Sequence, residues 1–175
     1  MTNNSKFTYR LRSIKKLAAY SFFALGLISS ITSPAYATIT ISQVSPINFG
    51  SLLVPASGSP SITVSSSAAN SSTLAGGAVA IDNNANRGEY LIKRTTENST
   101  MTVNITGIST GSSALTLSTF TGRYGSTSIT TFPKSSLTNP GTAGTDLYLG
   151  AKLAYTSAIA DGTYNMTYTI TVTIP

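Results

Sequence analysis

The sequence predicts an all-β protein, an antiparallel β-sandwich of about eight to ten strands, and three observations support this class. Residues 164–174 alternate strictly between apolar or aromatic and polar side chains, as a strand with one buried face does. Further short alternating runs are separated by Gly, Pro, Asn and Ser at the spacing typical of sandwiches. No stretch keeps a helical period for more than a turn or two. An up-and-down barrel is the alternative architecture.

The first 37 residues have the organisation of a secretory signal peptide. Five basic residues precede a mostly apolar run at residues 17–31, and Ala35 and Ala37 form a small-x-small cleavage site. The run is too short for a comfortable membrane span, although an uncleaved anchor helix is the alternative. We therefore expect an exported protein, periplasmic or at the bacterial cell surface, whose mature chain is one domain over residues 38–175.

Removal of this segment changes the charge of the chain. Five of the 11 Lys and Arg residues precede the cleavage site, which leaves six against five Asp and Glu, a net charge of +1. The basic character therefore belongs to the export signal and does not predict nucleic-acid binding. The chain contains no cysteine, so its stability must come from packing and backbone hydrogen bonds.

The first expected strands are delimited by proline. Residues 38–42 alternate cleanly, residues 47–54 lie between two prolines, and residues 61–65 follow Pro60. Residues 68–77 are small and predict little. Residues 78–81 and 90–94 are expected to be two strands joined by a loop at 82–88, which is rich in residues that favour turns.

The second half of the chain continues the same pattern. Residues 101–105 alternate, and residues 114–124 form a longer run interrupted by threonines. Residues 125–145 are mostly Gly, Ser, Thr and Pro and predict a long loop. Residues 146–155 and 164–174 close the domain, with a turn at 158–162 between them.

Catalytic and metal-binding chemistry has few candidate residues. The absence of histidine and cysteine removes the commonest general base and the thiol nucleophile, so no enzyme activity and no cofactor are expected. The loop that starts at Asp82 places oxygen ligands at alternate positions, but Gly88 and Lys93 depart from the calcium-binding EF-hand pattern. A loop held by Asx turns is the favoured interpretation. Tyr124 could present a sugar-binding platform, but packing at a strand end is favoured.

Three short motifs give the sequence a family resemblance. Ile47-Asn-Phe-Gly50 near the mature start, Leu149-Gly-Ala-Lys-Leu153, and Gly162-Thr-Tyr164 before the last strand resemble the bacterial secreted family called domain of unknown function 4402. That family in turn resembles spore coat protein U and the pilin subunits of chaperone-usher systems. The resemblance implies an immunoglobulin-like or pilin-like sandwich, with like subunits or a periplasmic chaperone as partners.

Pilin subunits end in an alternating strand with a glycine fourteenth from the terminus, and Gly162 has this spacing. The penultimate residue is Ile174 where pilins have tyrosine, and the pilin disulfide is missing. The resemblance implies assembly by β-augmentation, in which a donated strand completes a neighbouring sandwich. Residues 38–45 are the candidate donor, although they could equally be the first strand of a complete sandwich.

These considerations define the expected function and its residues. We expect a non-enzymatic structural subunit of a surface or fimbria-like assembly that acts by strand pairing. A self-complete adhesin that binds glycan or host surface through its loops is the alternative. The candidate donor residues are Ile39 and Ile41, and the expected strand-pairing and core residues are Gly162, Tyr164, Met166, Tyr168, Ile170, Val172 and Ile174.

Overall fold

The computed structural model describes residues 38–95 and 99–174, which form twelve β-strands and no helix. No helix in these ranges could therefore cross a membrane. The proposed signal peptide, with Ala35 and Ala37, lies outside the described residues. The strands are β1 (Ile39–Ser45), β2 (Leu52–Leu53), β3 (Ser61–Val64), β4 (Ser72–Ala75), β5 (Val79–Ala80), β6 (Gly88–Arg94), β7 (Met101–Ser109), β8 (Leu115–Tyr124), β9 (Thr127–Ile129), β10 (Lys134–Leu137), β11 (Thr145–Tyr155) and β12 (Thr167–Thr173).

All strand pairs in the described chain are antiparallel, which confirms the predicted fold class. Seven strands form the large sheet around β11, which pairs with β8 on one side. On its other side β11 pairs first with β6 and then with β3. β1, β4 and β9 extend the sheet outward from β6, β3 and β8. A second sheet has the order β10-β7-β12, and β2 pairs with β5 as a separate ribbon.

The core lies on the inner face of the large sheet, and β11 shows why. Leu147, Leu149, Ala151, Leu153 and Tyr155 alternate along this strand and are all buried, as the period of two requires. They belong to one continuous hydrophobic cluster that also includes side chains of β7 and β12 from the second sheet. The two sheets therefore share a single core.

β11 changes neighbours from β6 to β3 at Gly150. A Cβ atom at this position would lie 2.3 Å from the carbonyl oxygen of Val64 and 2.6 Å from the amide nitrogen of Ser66. Only a residue without a side chain permits this backbone approach. The glycine therefore allows one long strand to support two shorter ones.

A β-bulge at Thr119 explains the interrupted apolar pattern of β8. Thr119 has a φ of 50°, and the register with β11 shifts at this point, so that one strand has an extra residue. Leu117 and Phe120 are both buried although they are three residues apart. The bulge thus brings both side chains to the core.

Two sequence predictions about element boundaries were wrong. Residues 164–166 are not in a strand, because β7 ends at Ser109, opposite Thr167, and provides no partner beyond that point. The predicted loop at 125–145 contains β9 and β10, since β9 forms a tight hairpin with β8 and β10 pairs with β7. The strands β5 and β6, which are joined by the loop that contains Asp82, belong to different sheets.

Candidate strand-pairing edges

β12 forms one edge of the three-stranded sheet. It pairs with β7 in a register that sets Ile170 opposite Ile105 and Val172 opposite Val103. Within residues 38–95 and 99–174, no other strand pairs with β12 along its outer side. An edge strand presents backbone N–H and C=O groups that can accept a further strand.

The inner face of β12 is held by an aromatic cluster that joins the two sheets. The ring of Tyr168 packs edge-to-face against Phe120 of β8, with 5.3 Å between centroids, and against Tyr90 of β6 at 6.5 Å. The hydroxyls of Tyr90 and Tyr168 are hydrogen-bonded, with 2.5 Å between the oxygens. The pKa of Tyr168 is raised well above the ordinary value of 10. Burial of the hydroxyl is the largest cause, and the neighbouring Tyr90 is the second.

The structure divides the predicted residues of this segment into two groups. Tyr168 and Ile170 are buried, and Val172 is partly buried against the core, as the alternation predicts. Ile174 follows the strand and is partly buried. The remaining three, Gly162, Tyr164 and Met166, precede β12 and are not strand residues.

Tyr164 and Met166 instead line a cleft of about 480 Å³ beside the start of β12. Phe49 and Leu52 also line this cleft, and both side chains belong to or pack against the core. The Tyr164 hydroxyl donates a hydrogen bond to the carbonyl oxygen of Ala160 at 2.8 Å, which connects the preceding loop to Tyr164. Packing of Tyr164 and Met166 against the core thus holds the segment that leads into β12.

β1 forms an edge of the large sheet and pairs only with β6 among the described strands. Ile39 and Ile41 face the core and are partly buried, and Gln43 follows them on the same side. Val44 points outward and is 65% exposed. The candidate donor segment therefore completes the sheet of its own chain.

Neither β1 nor β12 contains a charged side chain, a proline or a glycine. Of the other strands at sheet edges, β4, β9 and β10 are shorter, with four, three and four residues. β8 is longer, but β9 covers its end and the bulge at Thr119 interrupts the rest. Short length, charge and proline are the usual means by which proteins prevent edge-to-edge pairing. The two long edges lack these features, although β1 has a register shift between Gln43 and Ser45.

A charged aromatic cluster on the outer face of the large sheet was not predicted from the sequence. Arg87 lies over the ring of Tyr148 with its guanidinium carbon 3.6 Å from the centroid, and Arg123 lies at 5.3 Å. Glu89 and Arg123 flank Tyr148 on the neighbouring strands, and the Tyr148 hydroxyl donates to Asp146 at 3.3 Å. The two cations and two carboxylates balance, so the cluster favours neither an anionic nor a cationic ligand.

The loop at Asp82 is held by its own backbone. The Asp82 carboxylate accepts hydrogen bonds from the amides of Asn84 at 3.0 Å and Ser51 at 3.1 Å. A side-chain hydrogen bond from Ser51, followed by these two amide bonds, lowers the pKa of Asp82. The contact with the Asn84 amide is an Asx turn, which confirms the favoured interpretation. The described part of the chain contains no cluster of three or more His, Cys, Asp or Glu side chains that could hold a metal.

Tyr124 does not present its ring at the surface. It is 4% exposed, and its hydroxyl donates to the carbonyl oxygen of Thr138 at 3.1 Å. Burial raises its pKa. The expected packing at a strand end is thus confirmed, and the adhesin alternative loses its candidate aromatic platform.

An all-β sandwich with two long uncharged edges is the class of protein that these observations define. The family model described as Domain of unknown function (DUF4402) matches residues 39–173, and the chain belongs to this family. Comparisons with curated proteins and with solved structures gave no significant match. Family membership assigns no activity to any residue.

Proposed function

We propose that the mature chain is an exported, non-enzymatic structural subunit of a bacterial surface or fimbria-like assembly, whose copies join by β-strand pairing. The observation that supports this most directly is that β1, an uncharged strand of seven residues, pairs with β6 alone among the described strands. Support for export comes from the signal-like residues 1–37, and support for assembly comes from the resemblance to pilin subunits. A periplasmic chaperone that protects the exposed edge before assembly fits the same scheme.

The mechanism is an exchange of β1 between copies. When β1 leaves β6, it uncovers a strand edge and removes Ile39 and Ile41 from the core side. β1 of a neighbouring copy can take its place in the same register, with Ile41 opposite Ile92. Because the incoming strand has the same sequence and makes the same hydrogen bonds and packing, exchange costs little beyond the association itself. The interface is head-to-tail, so repeated exchange produces an open chain of subunits.

A disulfide staple tests this exchange, because Thr40 lies directly opposite Lys93 and both side chains are exposed. The variant Thr40→Cys with Lys93→Cys can be oxidised as a monomer, which locks β1 onto its own β6. The chain has no native cysteine to interfere. We expect this locked protein to form no polymer under conditions in which the reduced protein polymerises. Oxidation after assembly should instead link neighbouring copies and give a ladder of covalent oligomers on a non-reducing gel.

A matched control comes from an equivalent pair in the interior of the sheet. Thr63 of β3 lies opposite Lys152 of β11, and β3 has partners on both sides. The variant Thr63→Cys with Lys152→Cys should form only an internal disulfide and should polymerise in either redox state. Unchanged polymerisation of the oxidised Thr40→Cys/Lys93→Cys protein would contradict exchange through β1, as would a wild-type protein that remains monomeric at all concentrations.

A further inference from the structure

The outer edge of β12 has the properties of an interaction surface. The exchange of β1 does not involve this edge. The strand has seven residues, Thr-Tyr-Thr-Ile-Thr-Val-Thr, of high β-propensity and without charge, proline or glycine. An edge of this kind pairs readily with another strand, and proteins that remain monomeric normally protect it. No described strand covers it.

The sequence of β12 is close to self-complementary in an antiparallel arrangement. If two copies meet around a two-fold axis at Ile170, Ile170 lies opposite its own equivalent, and Tyr168 lies opposite Val172. Each Thr169 then lies opposite a Thr171, and each Thr167 opposite a Thr173. Threonine pairs and aromatic pairs with β-branched residues are favourable cross-strand neighbours. No pair brings two charges together.

We propose that two copies of this protein join through their β12 strands, antiparallel around a two-fold axis at Ile170. The three-stranded sheets of the two copies then form one six-stranded sheet of order β10-β7-β12-β12-β7-β10. The core-facing residues of the two strands extend one apolar surface, and the threonines extend one polar surface. The inference goes beyond the proposed function, because this closed contact requires no exchange of β1.

A second β12 fits this edge better than the other long uncharged strand does. β1 carries Ile39, Ile41 and Gln43 on one face. If β1 paired with the outer edge of β12 with its isoleucines facing the core, the Gln43 amide would share that face with Tyr168 and Ile170, where apolar neighbours are favoured. The β12 pair places no amide on the core side. The second copy of β12 is therefore the occupant that the residues favour.

Register-specific cross-linking tests the contact. In the proposed dimer Thr169 lies opposite Thr171 of the other copy, at a spacing of about 5 Å that a disulfide can bridge. The distance between the two Thr169 residues is a diagonal one of about 7–8 Å, which a disulfide does not bridge readily. We expect a mixture of Thr169→Cys and Thr171→Cys proteins to form a covalent heterodimer on mild oxidation. Each variant alone should cross-link at least about fivefold more slowly, since it has only the diagonal contact.

Charge variants at the same two positions provide a matched pair. Thr169→Lys with Thr171→Lys places two lysine pairs face to face, and we expect about a tenfold weaker dimer in sedimentation measurements. Thr169→Lys with Thr171→Glu places opposite charges face to face and should dimerise at least as well as wild type. Both variants keep the core face of β12 unchanged, and circular dichroism verifies that each is folded.

Two results would overturn the proposal. One is a mixture of the Thr169→Cys and Thr171→Cys proteins that gives no covalent heterodimer under the oxidation that closes the internal disulfide of the Thr63→Cys/Lys152→Cys control. The other is a Thr169→Cys protein that links to a Thr40→Cys protein and not to a Thr171→Cys protein, which would assign the edge to β1. Neither result depends on the staple experiment on β1 and β6, so the two proposals can fail separately.

Discussion

The hydrogen bond between Tyr90 and Tyr168 provides a quantitative test of how β12 is held to the large sheet. Tyr168→Phe removes one hydroxyl of a buried pair and deprives the Tyr90 hydroxyl of this partner. The loss of one partner of a buried hydrogen bond costs about 1–3 kcal/mol. We expect the free energy of unfolding to fall by about 1.5 kcal/mol, a decrease in melting temperature of about 4–6 °C for a domain of this size.

A double-mutant cycle separates the hydrogen bond from the packing of the rings. Tyr90→Phe alone should cost a similar amount, and the double variant should cost less than the sum of the two, with a coupling of about 1 kcal/mol. Urea unfolding followed by circular dichroism measures each free energy. Tyr164→Phe is the control, because its hydroxyl bonds to an exposed loop carbonyl, and its effect should stay within about 0.5 kcal/mol. Additive effects of the two core substitutions, or a neutral Tyr168→Phe, would refute the reasoning.

Three further predictions follow from single features of the chain. The raised pKa of Tyr168 makes the free energy of unfolding depend on pH. The unfolded chain loses the Tyr168 proton near pH 10 while the folded chain keeps it, so this group lowers the stability above pH 10 by about 1.4 kcal/mol per pH unit. Urea midpoints measured across this range should fall less steeply for Tyr168→Phe, and an equal slope would contradict the assignment. Gly150→Ala should destabilise the protein by more than about 2 kcal/mol, because its Cβ would meet the Val64 carbonyl, and a melting temperature equal to wild type would contradict this close approach. The proposed export predicts a processed protein whose first residue, by intact-mass measurement, is Thr38, whereas a retained leader would rule out cleavage at Ala37.

The alternation of β12 shows how much of the fold a local pattern contains. The burial of Tyr168 and Ile170 follows from a period of two, and the sequence alone was sufficient to place them on the core side. The length of the strand was overestimated, because Tyr164 and Met166 continue the pattern beyond the end of β7. Pairing partners are set by distant parts of the chain, and a local pattern contains no information about where a partner ends.

The features missed elsewhere have the same origin. The short strands β9 and β10 consist largely of Ser and Thr, and only pairing with β8 and β7 distinguishes them from loop. The stacking of Arg87 and Arg123 on Tyr148 depends on strand order, since the three residues come from separate segments. Their only sequence signal was a tyrosine on the polar side of β11. In the same way, the burial of Arg94 at the end of β6, where its guanidinium donates to Ser99, depends on tertiary packing.

The most direct test of assembly by strand pairing is solid-state NMR of assemblies grown from a mixture of carbon-labelled and nitrogen-labelled copies. Contacts between the two labels report only on backbone groups that belong to different copies. Strand pairing predicts such contacts between Ile41 and Ile92, the pair that β1 makes with β6. Contacts between copies that are confined to loops or outer sheet faces would contradict it.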